Sequence, residues 1–397
     1  MSTLAGRTVL QIIPELDAGG AERTTIDIAA ALNDVGARAL VASRGGRLVS
    51  ELQAKGGWWL PFDAKTKNPF AMAANVLHLE RLMRDEGVDI IHARSRAPAW
   101  VAYGAARRTR TLFVTTYHGA YSGQSALKTL YNSVMARGDA VIANSDFTAA
   151  RILRLHPFAE GRVRVIPRGT DFSLFSPDAV SAARVQHLRT EWGVAPDERI
   201  VLLAARLTAW KGQKVLVEAA KKLRDTGVQD VRYILAGDPQ GRDSYVRDLD
   251  QLIDASGLKG VVKRVGHCVD MPAAMRAASV VAVTSIEPEA FGRIAVESQA
   301  LGTPVVVTDL GAAPETVLAP PDVDPHIRTG WRIPAGDSGA LAAALSEALS
   351  LGATARDAIS TRARAHVVAN FSLDRMKMDT LDVYTALLEA RDGPSER

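Results

Sequence analysis

The sequence predicts an α/β protein made of two parallel-sheet units in tandem, and three observations carry that prediction. Length is the first: 397 residues exceed what one ordinary hydrophobic core organises and suit two domains. The second is that short β-branched runs alternate with helix-period segments along the whole chain, the pattern of parallel strands joined by helical crossovers. The third is that each half opens alike, with a buried strand, a glycine-containing loop and a helix.

In the first half the expected strands are 8–13, 37–42, 89–93, 112–116, 140–143 and 163–166, with helices at 21–32, 72–86 and 126–136. Segment 168–199 carries Pro177, Pro196 and few strand signals, so it reads as the connection between domains. A second series then runs through 200–205, 231–236, 261–265, 280–284 and 304–307, with a helix at 292–301. Segment 372–391 reads as a terminal amphipathic helix followed by a polar tail. The chain therefore resembles two Rossmann-like units. Ligands of such sheets bind beyond the carboxyl ends of the strands, so two such edges facing each other make an expected cleft.

Hydrophobic content of 47% with 23% charged residues marks a globular chain. The lone Cys268 excludes a disulfide framework and reads as a buried thiol in a reducing compartment. The N-terminal apolar run is too short for a signal peptide and meets Glu15 and Asp17 at once, and no run of about 18 uninterrupted apolar residues occurs. A cytoplasmic location is expected. Charge is uneven: through residue 175 there are 22 Lys and Arg against 15 Asp and Glu, a balance of +7, so with the chain at +4 the remainder is −3. A basic first half suits an anionic acceptor, an anionic membrane surface or nucleic acid, and equally a solvated surface.

Two stretches carry most of the chemistry. Arg206-Leu-Thr-Ala-Trp-Lys211-Gly212 sets two cations on a strand-to-helix loop, where free backbone N–H groups and the helix dipole favour an anion. That suits a diphosphate. Glu289-Ala290-Phe291-Gly292-Arg-Ile-Ala-Val-Glu297 sets one carboxylate before a helix and another about two turns inside it. That suits polyhydroxylated ligands. In the first half, Ala18-Gly19-Gly20-Ala21-Glu22 follows the first strand, where glycines let backbone approach a ligand, although the G-x-G-x-x-G spacing of dinucleotide sites is absent. A plain strand-to-helix turn is the alternative.

Taken together these motifs resemble the retaining family-4 glycosyltransferases, whose signature is two glutamates with seven residues between them, preceded by an Arg-x(4)-Lys-Gly cation pair. The resemblance runs from Gly19 to the last helix. It implies a GT-B architecture, with an acceptor domain at 1–175, a nucleotide-sugar donor domain at 176–371, and segment 372–397 as a helix crossing back to the first domain with its tail. It implies that Arg206 and Lys211 hold the diphosphate and that the amides of Ala290, Phe291 and Gly292 donate to sugar or phosphate. Glu289 would bind hydroxyls of the transferred sugar near the anomeric carbon, and Glu297 the ribose diol. Gly19 and Gly20 would face the donor phosphates and acceptor. His118, in Thr115-Thr116-Tyr117-His118-Gly119, resembles the family's active-site histidine, against the alternative of a satisfied histidine at a strand end.

On the acceptor side the reading places His92, Arg94 and Arg96, from Asp89-Ile-Ile-His92-Ala-Arg94-Ser-Arg96, together with Lys67. Segments 92–100, 67–69 and 117–122 are similar to bacterial lipopolysaccharide-core mannosyltransferase-like proteins. They imply transfer of a sugar, with GDP-mannose the first donor considered, to an anionic glycan or lipid-linked acceptor of the cell envelope, and no nucleic-acid partner. Trp58, Trp59 and Phe62 beside Lys65 and Lys67 on one loop, with the cationic cluster Arg107-Arg108-Thr109-Arg110, read as contacts to the inner-membrane surface, against the alternative of a partly buried loop with solvated lysines. No cofactor is expected beyond the nucleotide-diphospho-sugar co-substrate. No metal is expected either, since Asp248-Leu-Asp250 is helical and unaccompanied. Two other classes fit the same residues: a nucleotide-sugar 2-epimerase and a non-catalytic nucleotide-sugar binding protein.

Overall fold

The computed structural model describes residues 3–17, 19–66, 68–119 and 125–393. The chain divides into two units, one of Met1–Pro167 with Asp374–Arg397 and one of Arg168–Leu373.

The first unit holds β1 (Thr8–Ile12), β2 (Arg38–Ser43), β3 (Trp58–Pro61), β4 (Ile90–Ala93), β5 (Leu112–Tyr117), β6 (Ala140–Ala143) and β7 (Val163–Val165). They form one sheet in the order β3-β2-β1-β4-β5-β6-β7, with every pairing parallel. Strands β1, β4 and β6 are buried along their full length, so they show no apolar–polar alternation, and β1 and β4 bury the polar Thr8, Gln11 and His92 as well. The order runs outward from β1 to β3 and then crosses to β4, so the switch point lies between the carboxyl ends of β1 and β4. Helices Gly20–Asp34 and Arg96–Thr109 leave those ends.

One expected loop is a strand. Trp58 to Pro61 forms the edge strand β3 against β2, the Trp59 indole donates to Ser43 Oγ at 3.2 Å, and Phe62 is buried. Trp59 and Phe62 are therefore packing residues. Trp58 is 60% exposed, with the Arg38 guanidinium 5.3 Å above its ring.

The second unit repeats the plan with β8 (Arg199–Ala204), β9 (Val231–Ala236), β10 (Val262–Gly266), β11 (Val280–Val283), β12 (Val305–Thr308) and β13 (Trp331–Ile333). Their order is β10-β9-β8-β11-β12-β13, again all parallel, with the switch point between β8 and β11. The two predicted Rossmann-like units are present. Helix Gln213–Asp225 follows β8 and shows how the local sequence sets the packing. Leu216, Val217, Ala220 and Leu223 recur at helical spacing and are buried, while Lys222 and Arg224 occupy the last turn, where the dipole favours cations.

The last helix, Leu373–Asp392, belongs almost entirely to the first unit. Met376, Thr380, Tyr384 and Leu388 recur every four residues and form its buried stripe. No helix among the described residues is long and apolar enough to cross a membrane.

Candidate functional site

In the second unit the loops leaving β8 and β11 lie side by side because those strands are neighbours at the switch point. Three contacts stitch them together. Thr284 Oγ1 donates to the carbonyls of Lys211 and Gly212 at 2.9 and 3.0 Å, and the Ile286 N–H donates to the Trp210 carbonyl at 2.7 Å. Gly212 has φ +69, and a Cβ there would meet the Thr284 carbonyl oxygen at 1.9 Å. Only glycine admits this approach without displacing backbone.

The stitching delivers Lys211 to Glu289. The Lys211 ammonium lies 2.6 Å from Glu289 Oε1, with both side chains largely buried, and sits 4.1 Å over the Trp210 ring. The Ser285 hydroxyl donates to the same carboxylate oxygen. From its other flank, the Glu289 backbone bridges Gly311 in parallel and its carbonyl accepts from the Ala312 N–H at 3.0 Å. A Cβ on Gly311, at φ +71, would meet Glu289 backbone at 2.3 Å. Glu289 is thus fixed by three loops, those after β8, β11 and β12.

Gly292, at φ +89, precedes helix Arg293–Ala300. Glu297, one turn in from Arg293, is 4% exposed and accepts from Arg293 Nε and Nη2 at 3.1 and 2.7 Å. Burial pushes the Glu297 carboxyl above its ordinary range, against the opposing pull of Arg293 and Arg168. The side chain of Phe291 packs edge-on against Phe371 at 5.3 Å within a cluster that includes Val296, Ala300 and Val367, so its side chain is structural and only its backbone is free to serve a ligand. Arg206 is exposed and, among the described residues, has no carboxylate within 4 Å. Its carbonyl accepts from the buried Gln213 amide at 2.9 Å, which anchors the loop. The structure joins Lys211 to Glu289 and sets Glu297 one turn inside the helix that follows; it records no contact between the Arg206 guanidinium and either glutamate. Ser285, Arg293 and Gly311 were not anticipated. Asp248 and Asp250 face Lys214 at 3.7 Å and Arg264 at 2.7 Å.

In the first unit Gly19 and Gly20 open helix Gly20–Asp34 at the carboxyl end of β1, and Gly19 is extended. A Cβ on Gly19 would meet only the flexible end of Glu22, so close backbone approach is not required within the unit. Ala18, Lys67 and residues 120–124 lie outside the described residues. His118 follows β5 directly and is half-buried.

His92 and Arg94, expected on the acceptor side, are interior residues. His92 is fully buried, with Nδ1 2.6 Å from the Tyr384 hydroxyl and Nε2 2.7 Å from Thr116 Oγ1. Arg94 is also buried, its Nε and Nη2 donating to Gln11 Oε1 at 2.8 and 2.5 Å. Both are committed to the interior of the unit and do not line an open acceptor surface. Burial lowers the Arg94 guanidinium to about 10 and raises the Tyr384 phenol to about 12. Arg96 does reach an open cavity of ≈ 530 Å³ at the carboxyl ends of β1 and β4, with Glu15, Lys65, Lys128, Tyr131 and Asn132. Its Nη1 donates to Asn132 Oδ1 at 3.0 Å.

Burial, with Arg94 and His118 adding repulsion, holds His92 well below the usual imidazole range. The folded pKa is below the unfolded value of about 6.5, so in that window the unfolded chain binds a proton that the folded chain refuses. Stability is fully present above pH of about 6.5 and is lost as pH falls toward the folded pKa, at about 1.4 kcal/mol per pH unit for one such group. Urea unfolding between pH 7.5 and 5.5 is expected to show this slope, and His92→Gln a shallower one. Equal slopes would remove His92 as the source.

Comparison with known proteins agrees with this geometry. Residues 18–174 match the family described as Glycosyltransferase Family 4, and residues 185–366 match Glycosyl transferases group 1. A glycosyltransferase from Rickettsia africae superposes with TM-score 0.87 at 33% identity, covering 97% of this chain and 99% of that one. HepE of Anabaena, solved in complex with UDP-glucose, gives TM-score 0.81 at 28% identity over 96% of this chain and 99% of its own. The D-inositol 3-phosphate glycosyltransferase of Mycobacterium tuberculosis is 31% identical over 319 residues, a match spanning 76% of this chain and 62% of the relative's length. With two units of GT-B type and the Lys211–Glu289 pair at the second switch point, the chain belongs to the family-4 glycosyltransferases.

Proposed function

We propose that the protein transfers a sugar from a nucleotide-diphospho-sugar, with retention of anomeric configuration and without a metal, to an anionic glycan or lipid-linked acceptor. The observation that carries this reading is the Lys211–Glu289 contact at the switch point of the second sheet. It sets a cation for phosphate beside a carboxylate for sugar hydroxyls. In the proposed step the bond from the anomeric carbon to the leaving phosphate oxygen breaks. The acceptor oxygen bonds to the same face of that carbon, and its proton passes to the departing phosphate oxygen. No protein base is needed. Arg206 and Lys211 stabilise the growing phosphate charge, the Ala290, Phe291 and Gly292 amides assist, and Glu289 positions the sugar. Glu297 receives the ribose, and Gly19, Gly20 and His118 keep the donor-supporting roles the family implies.

Arg96 and Lys128 around one cavity, in which Lys65 is paired with Glu15 at 2.8 Å, suit an acceptor bearing negative charge, which supports the cell-envelope assignment, lipopolysaccharide core first, at the cytoplasmic membrane face. For the donor, GDP-mannose is the reading from motif resemblance, while UDP-glucose is the ligand named for the Anabaena relative. A thermal-shift panel of both decides between them. A true donor at 100 times its Kd is expected to stabilise the fold by about 2.7 kcal/mol. Neither donor shifting the transition would leave the reading without support. Incubation with donor alone is expected to give slow hydrolysis; an epimer would identify the 2-epimerase instead. Chelator is expected to leave turnover unchanged, and complete loss with rescue by Mg2+ would contradict the metal-free step.

A further inference from the structure

At the opposite, amino-terminal edge of the first sheet lies a groove of ≈ 560 Å³ that the proposed transfer does not use. Its walls come from the end of helix Arg96–Thr109 and the segments that lead into β5, β6 and β7. Four arginines, Arg107, Arg110, Arg137 and Arg162, line it against one carboxylate, Asp139. Among the described residues none of the four has a carboxylate within 4 Å, whereas the neighbouring Arg84 and Arg108 both pair with Glu80. Asp139 is engaged otherwise, its Oδ2 accepting from the Phe113 N–H at 2.8 Å.

Two of the cations are held in place by groups that do not neutralise them. The Arg137 guanidinium lies 5.9 Å from the Tyr103 ring centre and 5.5 Å from that of Phe158. Arg162 donates to the carbonyls of Gly138 and Phe158 at 2.8 and 2.6 Å. Arg107 and Arg110 stand exposed at the rim. The helix dipole accounts for two cations at a helix end, at roughly 0.3–1 kcal/mol each. It does not account for their convergence on Arg137 and Arg162, where like charges repel. A planar guanidinium fork binds phosphate in two-point fashion, and several such forks around one concavity select a multiply charged oxyanion.

We propose that this groove is a second anion site, taking a phosphate-bearing group of two or more negative charges. It lies at the edge opposite the carboxyl ends of the same sheet, so it is distinct from the Arg96 cavity. The phosphate belongs to a free metabolite or to a lipid headgroup, and these sources are separable by experiment.

Inorganic pyrophosphate, titrated calorimetrically into the full chain at low ionic strength, is the first probe. Because pyrophosphate is also expected at the Lys211 loop, the titration uses Arg206→Ala/Lys211→Ala protein, in which binding is expected to persist. Adding Arg107→Gln/Arg110→Gln is expected to weaken it at least fivefold. The charge-matched pair Arg84→Gln/Arg108→Gln is expected to change it less than twofold. Sedimentation with phosphatidylglycerol/phosphatidylcholine vesicles then assigns the source. Vesicle binding lost with the Arg107/Arg110 pair identifies a headgroup, and vesicle binding absent or unaffected identifies a free phosphate. Equal weakening by the two double variants would reduce the effect to net charge and overturn the site. So would the absence of pyrophosphate binding once the Lys211 loop is disabled, together with vesicle binding indifferent to Arg107 and Arg110. Failure of the donor panel would leave this result standing, since the two sites share no residue.

Discussion

Lys211→Ala is expected to lower turnover by about 10²–10³-fold, the effect of removing one preorganised donor from a developing oxyanion, about 2.7–4 kcal/mol. The loop that carries Lys211 is fixed by Thr284 and Ile286, so little reorganisation opposes its use, and its ammonium is largely shielded from water. The loss should appear in kcat more than in KM, because the phosphate charge it meets grows only as the glycosidic bond breaks. Arg206→Ala is expected to lower kcat in the same sense but by less than Lys211→Ala, since that guanidinium is exposed and screened. Glu289→Ala should lower turnover by at least tenfold. It also leaves the largely buried Lys211 ammonium without its partner, so the double variant is expected to be less impaired than the product of the single effects. Steady-state kinetics on variants with unchanged unfolding transitions checks this. Wild-type rates in folded Lys211→Ala and Glu289→Ala would end the assignment of this pair to catalysis.

Much of the fold could be read from the sequence because the central strands of both parallel sheets, such as β6, β8, β11 and β12, are buried and rich in Val, Ile, Leu and Ala. Trp58 to Pro61 was legible only as a loop: four residues with a terminal proline give no alternation, and the edge position becomes visible only once β2 lies beside it. In the site, Lys211 and Glu289 were legible through spacing. Ser285 and Gly311 were not, because their approach to Glu289 follows from the neighbour order β8-β11-β12, which no local window contains. His92 and Arg94 failed for the same kind of reason. At a strand end they read as ligand-facing, yet what buries His92 is a tyrosine 292 positions later in the chain.

That tyrosine carries the largest expected effect on stability. Tyr384→Ala should destabilise the first unit by roughly 3–5 kcal/mol, the usual cost of emptying a fully buried aromatic site. The other ties of helix Leu373–Asp392 to this unit are weaker. Arg7–Asp392 at 2.5 Å and Arg391–Asp89 at 3.1 Å are partly exposed pairs, worth about 0–1 kcal/mol each. Tyr384→Phe separates the ring from its hydroxyl: the ring keeps its edge-on contact with His92 at 5.8 Å, while His92 Nδ1 loses its partner. An unpaired buried polar group costs about 1–3 kcal/mol, so Tyr384→Phe should fall between wild type and Tyr384→Ala. Urea unfolding gives that order, and hydrogen exchange locates it. Faster exchange confined to Leu373–Asp392 in Tyr384→Ala would show the helix lifting from the sheet before the unit unfolds, whereas uniform acceleration would show the helix and sheet unfolding as one. An unchanged urea midpoint in Tyr384→Ala would mean that the Met376, Thr380 and Leu388 stripe holds the helix without it.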